Sequence, residues 1–251
     1  MITLASDFGT PYPAAMKGVM LRRTDARLVD VAHDFPRQDV RAAAFWLREV
    51  LPQFPPAVHL VVVDPGVGTD RAALAVRAGD HALVGPDNGV LVPAARELAD
   101  ESGLDAFEVD DEDAASSTFH GRDVFAPAAA RVHEVGVDAL SDLDGVAPTD
   151  EFVDLRFPDP VVGDDEVTGE ILAVDDFGNA VTNVPGGFVD GADEAAVNGE
   201  RAPVAPSYAH VEAGQRLVTV GSHGNVELAV NRGRGDEAFA VAPGDAVRLE
   251  T

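Results

Sequence analysis

The chain has 251 residues, 46% of them hydrophobic, and carries 44 acidic against 18 basic side chains for a formal net charge of −26. That length suits one large domain or two modest ones with a real core, while the charge repels phosphate backbones and excludes nucleic acid as an expected partner. Cysteine is absent, which excludes disulfides, thiolate metal sites and a cysteine nucleophile.

The N-terminus, MITLASDFGT, has no basic leader region and no cleavage pattern, so no signal peptide is expected. No apolar run approaches the roughly 18 residues that span a membrane. A cytoplasmic location without membrane attachment is therefore expected. ITLASDF (2–8) reads as a buried strand ending at Asp7, and AAMKGVMLRRT (14–24) as a helix with Pro11 and Pro13 near its start. ARLVDVAH (26–33) reads as a second strand. DVRAAAFWLREVLPQF (39–54) opens on an acidic cap and has helical spacing, with Ala44, Phe45, Leu47, Leu51 and Phe54 as expected core. AVHLVVVD (57–64) is a β-branched run ending at Asp64 and followed by Pro-Gly. Two shorter strands, AALAVRA and HALVGP, precede helices at LVPAARELAD and VFAPAAARVHEVG. This βαβ rhythm predicts an α/β domain with a mostly parallel sheet.

EVDDED (108–113) is the one concentrated acidic run and reads as a solvated loop. Elsewhere the acids are spread, and Lys17 is the only lysine. Spread carboxylates with almost no lysine read as adaptation to high salt, where self-repulsion is screened over a few Å. A cation-binding surface would concentrate the charge instead.

Beyond the Pro- and Asp-rich segment 147–165 the pattern changes to short strands: VTGEILAVD, AVTNV, AAVNGERAPV, RLVTVGS, NVELAVN and DAVRLET. Asn198-Gly199 is a hairpin signal. Strands at this spacing predict a smaller β-barrel or sandwich. Two domains follow, 1–155 and 165–251, with a boundary near 150–165.

In open parallel sheets, ligands bind beyond the carboxyl ends of strands. Two strands here end in Asp, at ASDFG (Asp7) and VVVDPGVGT (Asp64), each followed by a Gly that lets backbone approach a ligand. Such carboxylates can accept hydrogen bonds from ribose hydroxyls, or simply cap the following loop. DPGVGT matches neither a dinucleotide fingerprint nor a P-loop. With so few cations the chain favours a neutral or cationic nucleoside-like ligand over a polyphosphate. SDFG and DDFG match the kinase triplet by chance, since no Gly-rich loop or H-R-D accompanies them. Arg71 lies seven residues past Asp64 and by itself reads more readily as a surface arginine than as a site residue. His120, in STFHGRDVFAP, precedes a Gly that turns the chain into a helix. His33, His59, His81, His133, His210 and His223 are scattered without metal-binding spacing, so no catalytic zinc is expected. In the β-rich half, VDDFGNAVTNV and VGSHGNVELAVNRG gather amides, hydroxyls and carboxylates around Gly turns, which suits a ligand face.

TLASDFGT, MKG, VVVDPGVGT, VGPDNGVL, STFHGRDVFAPAAA, DDFGNAVTNV and GSHGNVELAVNRG occur here in the order that characterises one family. Through them nearly the whole chain resembles the adenosine-forming S-adenosyl-L-methionine (SAM) hydrolases, also called SAM hydroxide adenosyltransferases, relatives of the SAM-dependent fluorinase and chlorinase. The resemblance implies an N-terminal α/β domain, a C-terminal β-barrel domain and a homotrimer, with SAM between the N-terminal domain of one subunit and the C-terminal domain of its neighbour. It implies a catalytic trio at Asp64, Arg71 and His120. Adenosine contacts would fall on Asp7, Asp64, Asn179, Ser222, Glu227 and the backbone of Val230, with the two Asp on the ribose. His223 stands at a position that varies in the family, beside the expected methionine end. No cofactor and no metal are implied.

The chemistry implied is displacement at C5′. The sulfonium is already a good leaving group, so the difficulty lies in the nucleophile. The trio would position a water, with His120 accepting its proton and Arg71 stabilising negative charge on oxygen, or with the Asp-Arg pair fixing geometry alone. Two alternatives are a chlorinase giving 5′-chloro-5′-deoxyadenosine and a sensor that binds SAM or adenosine without turnover.

Overall fold

ITLAS, apolar but for Thr3 and Ser6, becomes a strand buried at every position and lies between two parallel neighbours, second from one edge of a seven-stranded sheet. The computed structural model describes residues 1–99, 101, 103–110, 118–163 and 165–251. It divides the chain into two units, Met1–Arg156 and Phe157–Thr251.

In the first unit the elements run β1 (Ile2–Ser6), α1 (Tyr12–Met20), β2 (Leu28–Ala32), α2 (Val40–Val50), β3 (Val58–Val62), β4 (Ala73–Ala78), β5 (His81–Pro86), α3 (Val92–Leu98), β6 (Leu104–Val109), α4 (Ala126–Val135) and β7 (Val146–Thr149). The sheet order is β2-β1-β3-β5-β4-β6-β7. β2, β1, β3 and β5 are parallel to one another, and β4, β6 and β7 continue the sheet by antiparallel pairing. Because side chains alternate along a strand, Ile2, Leu4, Val58, Leu60 and Val62 share one core with Met16 and Met20 of α1 and Ala129 of α4. Thr3, His59 and Val61 turn to the opposite face.

The helices start and stop for local reasons. Asp39 caps α2 by accepting the Ala42 N–H at 2.9 Å, and α2 buries Ala43, Ala44, Phe45 and Leu47. It ends four residues short of the expected Phe54, because Pro52 cannot donate to the helix and Leu51–Gln53 tightens into a 3₁₀ turn. α1 begins earlier than expected, since Pro13 sits in its first turn where a missing N–H costs nothing. The expected loop at 108–113 begins later than expected: Glu108 and Val109 pair with β4 as part of β6, and 111–113 lie outside the described residues.

The second unit runs β8 (Val161–Val162), β9 (Glu166–Val174), β10 (Ala180–Pro185), β11 (Glu194–Val197), β12 (Glu200–Pro203), β13 (Arg216–Val220), β14 (Asn225–Val230), α5 (Gly235–Phe239) and β15 (Ala246–Glu250). The order is β12-β11-β15-β9-β10-β14-β13, with β8 alongside β9. Just past β12, Val204 bridges Val218 of β13, and the Ala205 N–H donates to the Val218 carbonyl at 3.0 Å. The two ends of the sheet therefore meet, and the sheet curls into a nearly closed barrel around Val167, Ile171, Val184, Val226, Leu228 and Leu249. The Asn198-Gly199 hairpin forms as expected, with both residues at positive φ (51° and 87°). Among the described residues no helix is long and apolar enough to cross a membrane.

A buried histidine crosses the first sheet. His59 Nδ1 is hydrogen-bonded to Thr3 Oγ1 at 2.7 Å, and its Nε2 to His81 Nδ1 at 2.9 Å, with the two rings stacked at 5.2 Å. Burial, together with the neighbouring His81, lowers the His59 pKa to about 3. The folded protein thus takes up that proton less readily than the unfolded chain, whose histidines titrate near 6.5. Stability from this residue is present above about pH 6.5 and is lost as pH falls toward 3. His59→Gln should flatten the fall in melting temperature between pH 7 and pH 4. An unchanged slope would show that the acid sensitivity arises elsewhere.

Candidate active site

The carboxyl ends of β1 and β3 lie side by side, with Ser6 opposite Val62 in the register. Asp7 follows β1 directly, and Asp64 follows β3 by two residues. Asp7 is 8% exposed, and its Oδ2 accepts the backbone N–H of Gln38 at 2.7 Å. Nothing in the sequence singled out Gln38, a loop residue at φ 62° that contributes only backbone.

The DPGVGT turn folds Asp64 back on itself: the Gly66 N–H donates to Asp64 Oδ1 at 3.2 Å, and Thr69 Oγ1 donates to the Gly66 carbonyl at 2.7 Å. The turn delivers Arg71 to Asp64. Arg71 Nε donates to Oδ1 at 3.0 Å and Nη2 to Oδ2 at 2.5 Å, a two-pronged pair whose side chains are 9% and 4% exposed. The same Nη2 donates to His120 Nδ1 at 2.9 Å. Arg71 also donates through Nη1 to the Ala72 carbonyl, and its guanidinium lies 4.9 Å from the centre of the Phe125 ring. Asp64 and Arg71, seven residues apart, thus join the distant His120 in one hydrogen-bonded trio.

Arginine can only donate. His120 Nδ1 is therefore the acceptor, and a neutral imidazole carries its hydrogen on Nε2. In this arrangement the trio offers donors rather than a free base. His120 is 6% exposed and stands at the start of a π-helical turn, Gly121–Phe125, that leads into α4. Wide turns of this kind often mark functional positions. Gly121 makes room for its neighbours: a Cβ there would crowd Met16 Sδ at 3.0 Å and the rings of Phe119 and Phe8 at 3.2 Å, each of which would have to shift by a few tenths of an ångström. Asp64 and His120 border a small cavity of about 160 Å³.

Behind Asp7 runs a chain the sequence reading did not isolate. Ser6 Oγ is hydrogen-bonded to His33 Nδ1 at 2.8 Å, His33 Nε2 to Asp30 at 2.9 Å, and Lys17 Nζ donates to Asp30 at 2.6 Å. The order Ser-His-Asp is that of a hydrolytic triad, but Ser6 has no exposed surface and cannot attack a substrate. The chain holds the end of β1, helped by the Gly9 N–H donating to the His33 carbonyl at 2.7 Å.

In the barrel unit, Asn179, Ser222, Glu227 and Val230 all line one cavity of about 750 Å³. That volume lies in the usual range for small-molecule sites, about 300–1,000 Å³. Asn179 donates through Nδ2 to Asp175 Oδ2 at 2.8 Å and to Tyr208 OH at 3.2 Å, and Tyr208 OH donates to Glu227 Oε2 at 3.2 Å. Glu227 Oε1 is hydrogen-bonded to His223 Nε2 at 2.9 Å. Burial and the Glu227 carboxylate push the Tyr208 pKa up to about 12, which keeps its hydroxyl a donor. Both amide hydrogens of Asn179 are used, so its carbonyl oxygen is what it presents to a ligand. Tyr208, Asp175 and the 80% exposed Phe177 also line this cavity and were not named as site residues from the sequence. Asp175 and Phe177 stand inside the DDFGN segment already singled out. Tyr208 opens a single 3₁₀ turn, Tyr208–His210, with no sequence signal of its own.

Family comparison matches residues 2–142 to the SAM hydroxide adenosyltransferase N-terminal domain and 169–248 to the C-terminal domain of the same name. The chain is 40% identical to the (R)-S-adenosyl-L-methionine hydrolase of Salinispora tropica over 99% of this chain and 97% of that protein. It is also 40% identical to the enzyme of that name from Thermus thermophilus, over 97% of each. Among solved structures, an uncharacterized conserved protein from Thermotoga maritima aligns over 100% of both chains with a TM-score of 0.84 at 32% identity. A conserved hypothetical protein from Thermus thermophilus aligns over 99% of this chain and 98% of its own with a TM-score of 0.77 at 36% identity.

Proposed function

The chain belongs to the SAM hydroxide adenosyltransferase family, and from that premise we propose that it hydrolyses S-adenosyl-L-methionine to adenosine and L-methionine. The curated relatives are named for the (R) epimer, and the proposal takes that sulfonium configuration as the preferred substrate. The observation that carries the reading is Arg71, which holds Asp64 with two nitrogens and reaches His120 with one of them beside a small cavity.

In this mechanism a water oxygen attacks C5′ while the C5′–S bond breaks and its electron pair returns to sulfur. Methionine leaves as a neutral thioether and needs no acid. The water gives up one proton to the medium, so each turnover releases one. Arg71 and the Nε2–H of His120 supply donors that favour hydroxide character on the oxygen, and Asp64 keeps the guanidinium aimed. The assignment of His120 as proton acceptor is less favoured than this donor role, because its Nδ1 already accepts from Arg71. Asp7 is assigned to the ribose. In the barrel unit, the Asn179 carbonyl suits the exocyclic amine of adenine, and the Tyr208 and Phe177 rings suit the faces of the base. No cofactor takes part.

The test is product analysis with each sulfonium epimer, with and without chloride. Adenosine and methionine in equal amounts, faster from the (R) epimer, are expected under both salt conditions. A chlorinated nucleoside would overturn the proposal in favour of halide transfer. SAM that is bound but unchanged would overturn it in favour of a sensor.

A further inference from the structure

Three aromatic rings stand together at the cavity that Asp64 and His120 border. Phe8 and Tyr12 have ring centres 5.9 Å apart, Phe8 and Phe119 5.8 Å, and Tyr12 and Phe119 5.3 Å. Their planes meet at 62°, 77° and 85°. Rings set so close to perpendicular make the corner of a box rather than a stack. All three line the cavity of about 160 Å³, too small for a whole nucleoside and suited to one compact group. The close approach of Phe8 and Phe119 to Gly121 places the corner directly beside His120.

The charge at this cavity is already matched. Asp64 is the one carboxylate among its described lining residues, and Arg71 occupies both of its oxygens. A cation arriving here meets no unpaired anion. It meets three aromatic side chains, a residue type whose ring quadrupole attracts cations. Phe119 already does so with Arg122, whose guanidinium lies 5.2 Å from its ring centre.

We infer that Phe8, Tyr12 and Phe119 form an aromatic cage that reads the positive charge of a sulfonium and separates it from the neutral thioether of the same shape. The inference rests on the hydrolase reading above and specifies how its substrate is selected. Reaction at C5′ turns the sulfonium into a thioether, so the cage grips the substrate and loses its grip on the product. It contributes to substrate affinity rather than to the barrier, since the charge it favours is fading in the transition state.

The experiment compares the affinities of SAM and its demethylated thioether, S-adenosylhomocysteine, by calorimetry in the His120→Ala protein, where turnover is slow. Adding Tyr12→Leu, at a 53% exposed position that tolerates replacement, should lower the preference for the sulfonium by about 3- to 30-fold. Phe8→Leu should act in the same direction, and Tyr12→Phe, which keeps a ring, should retain most of the preference. In the otherwise unaltered enzyme the Tyr12→Leu loss should fall on KM rather than kcat. Equal weakening of both ligands, or a preference unchanged in both leucine variants, would overturn the cage. Wild-type protein that prefers the sulfonium yet forms no adenosine would instead overturn the hydrolase reading and leave the cage standing.

Discussion

Replacing His120 with alanine is expected to lower kcat for SAM hydrolysis by about 10²–10³-fold while KM changes by a few-fold at most. The reason is geometric. Removing the imidazole takes a donor from the nucleophile but leaves Arg71 bound to Asp64 at 3.0 and 2.5 Å, so the fold around the site persists. Arg71→Ala should cost as much activity and also stability. It strands a carboxylate whose side chain is 4% exposed, and breaking a buried pair from one side typically costs about 3–5 kcal/mol. Arg71→Lys should recover the stability better than the rate, because an ammonium cannot span both Asp64 oxygens and His120 together. Steady-state kinetics and thermal melts on the three variants check this. A His120→Ala enzyme within threefold of wild-type turnover would remove His120 from the reaction.

Replacing Asn179 with alanine should have the opposite signature. Its amide hydrogens are fixed by Asp175 and Tyr208, so the carbonyl oxygen is held in one orientation before the base arrives. Loss of that acceptor leaves a purine amine unpaired in the site and leaves Asp175 without its side-chain donor. Each unmade bond of this kind costs about 1–3 kcal/mol, which corresponds to about a 5- to 150-fold loss of adenosine affinity. Turnover at saturating SAM should stay within a few-fold, because the trio in the other unit is untouched. Calorimetry with adenosine reads the affinity. An Asn179→Ala protein that binds adenosine as wild type does would remove this cavity from base recognition.

Patterned segments were legible before the fold was known. Strands such as AVHLVVVD announce themselves by β-branching, and α2 by its cap and apolar spacing. Asp64 stood out as a carboxylate at a strand end, whereas Arg71 and His120 gained a role only through the family resemblance. Nothing in the spacing of His120 and Arg71, forty-nine positions apart, says that one donates to the other. That link depends on β3, the DPGVGT turn and the π-helical turn converging in space. β6 and β7 were missed because LDAFEV and VAPT carry charge or proline, and both sit at the antiparallel margin of the sheet. Tyr208 and Gln38 were missed for a related reason. A loop or turn residue acquires meaning from the partner it reaches, and the partners, Glu227 and Asp7, are nineteen and thirty-one positions away. The aromatic corner joins Phe8 and Tyr12 to Phe119, more than a hundred positions away, and no sequence pattern links them.

The central claim is that water, steered by the Arg71-centred trio, replaces the thioether at C5′. Its most direct test is a single turnover of SAM in ¹⁸O-labelled water with mass analysis of the adenosine. The account predicts one labelled oxygen, at the 5′ position, in the wild-type product. Adenosine whose 5′ oxygen carries no label, or a nucleoside bearing chloride there, would contradict it.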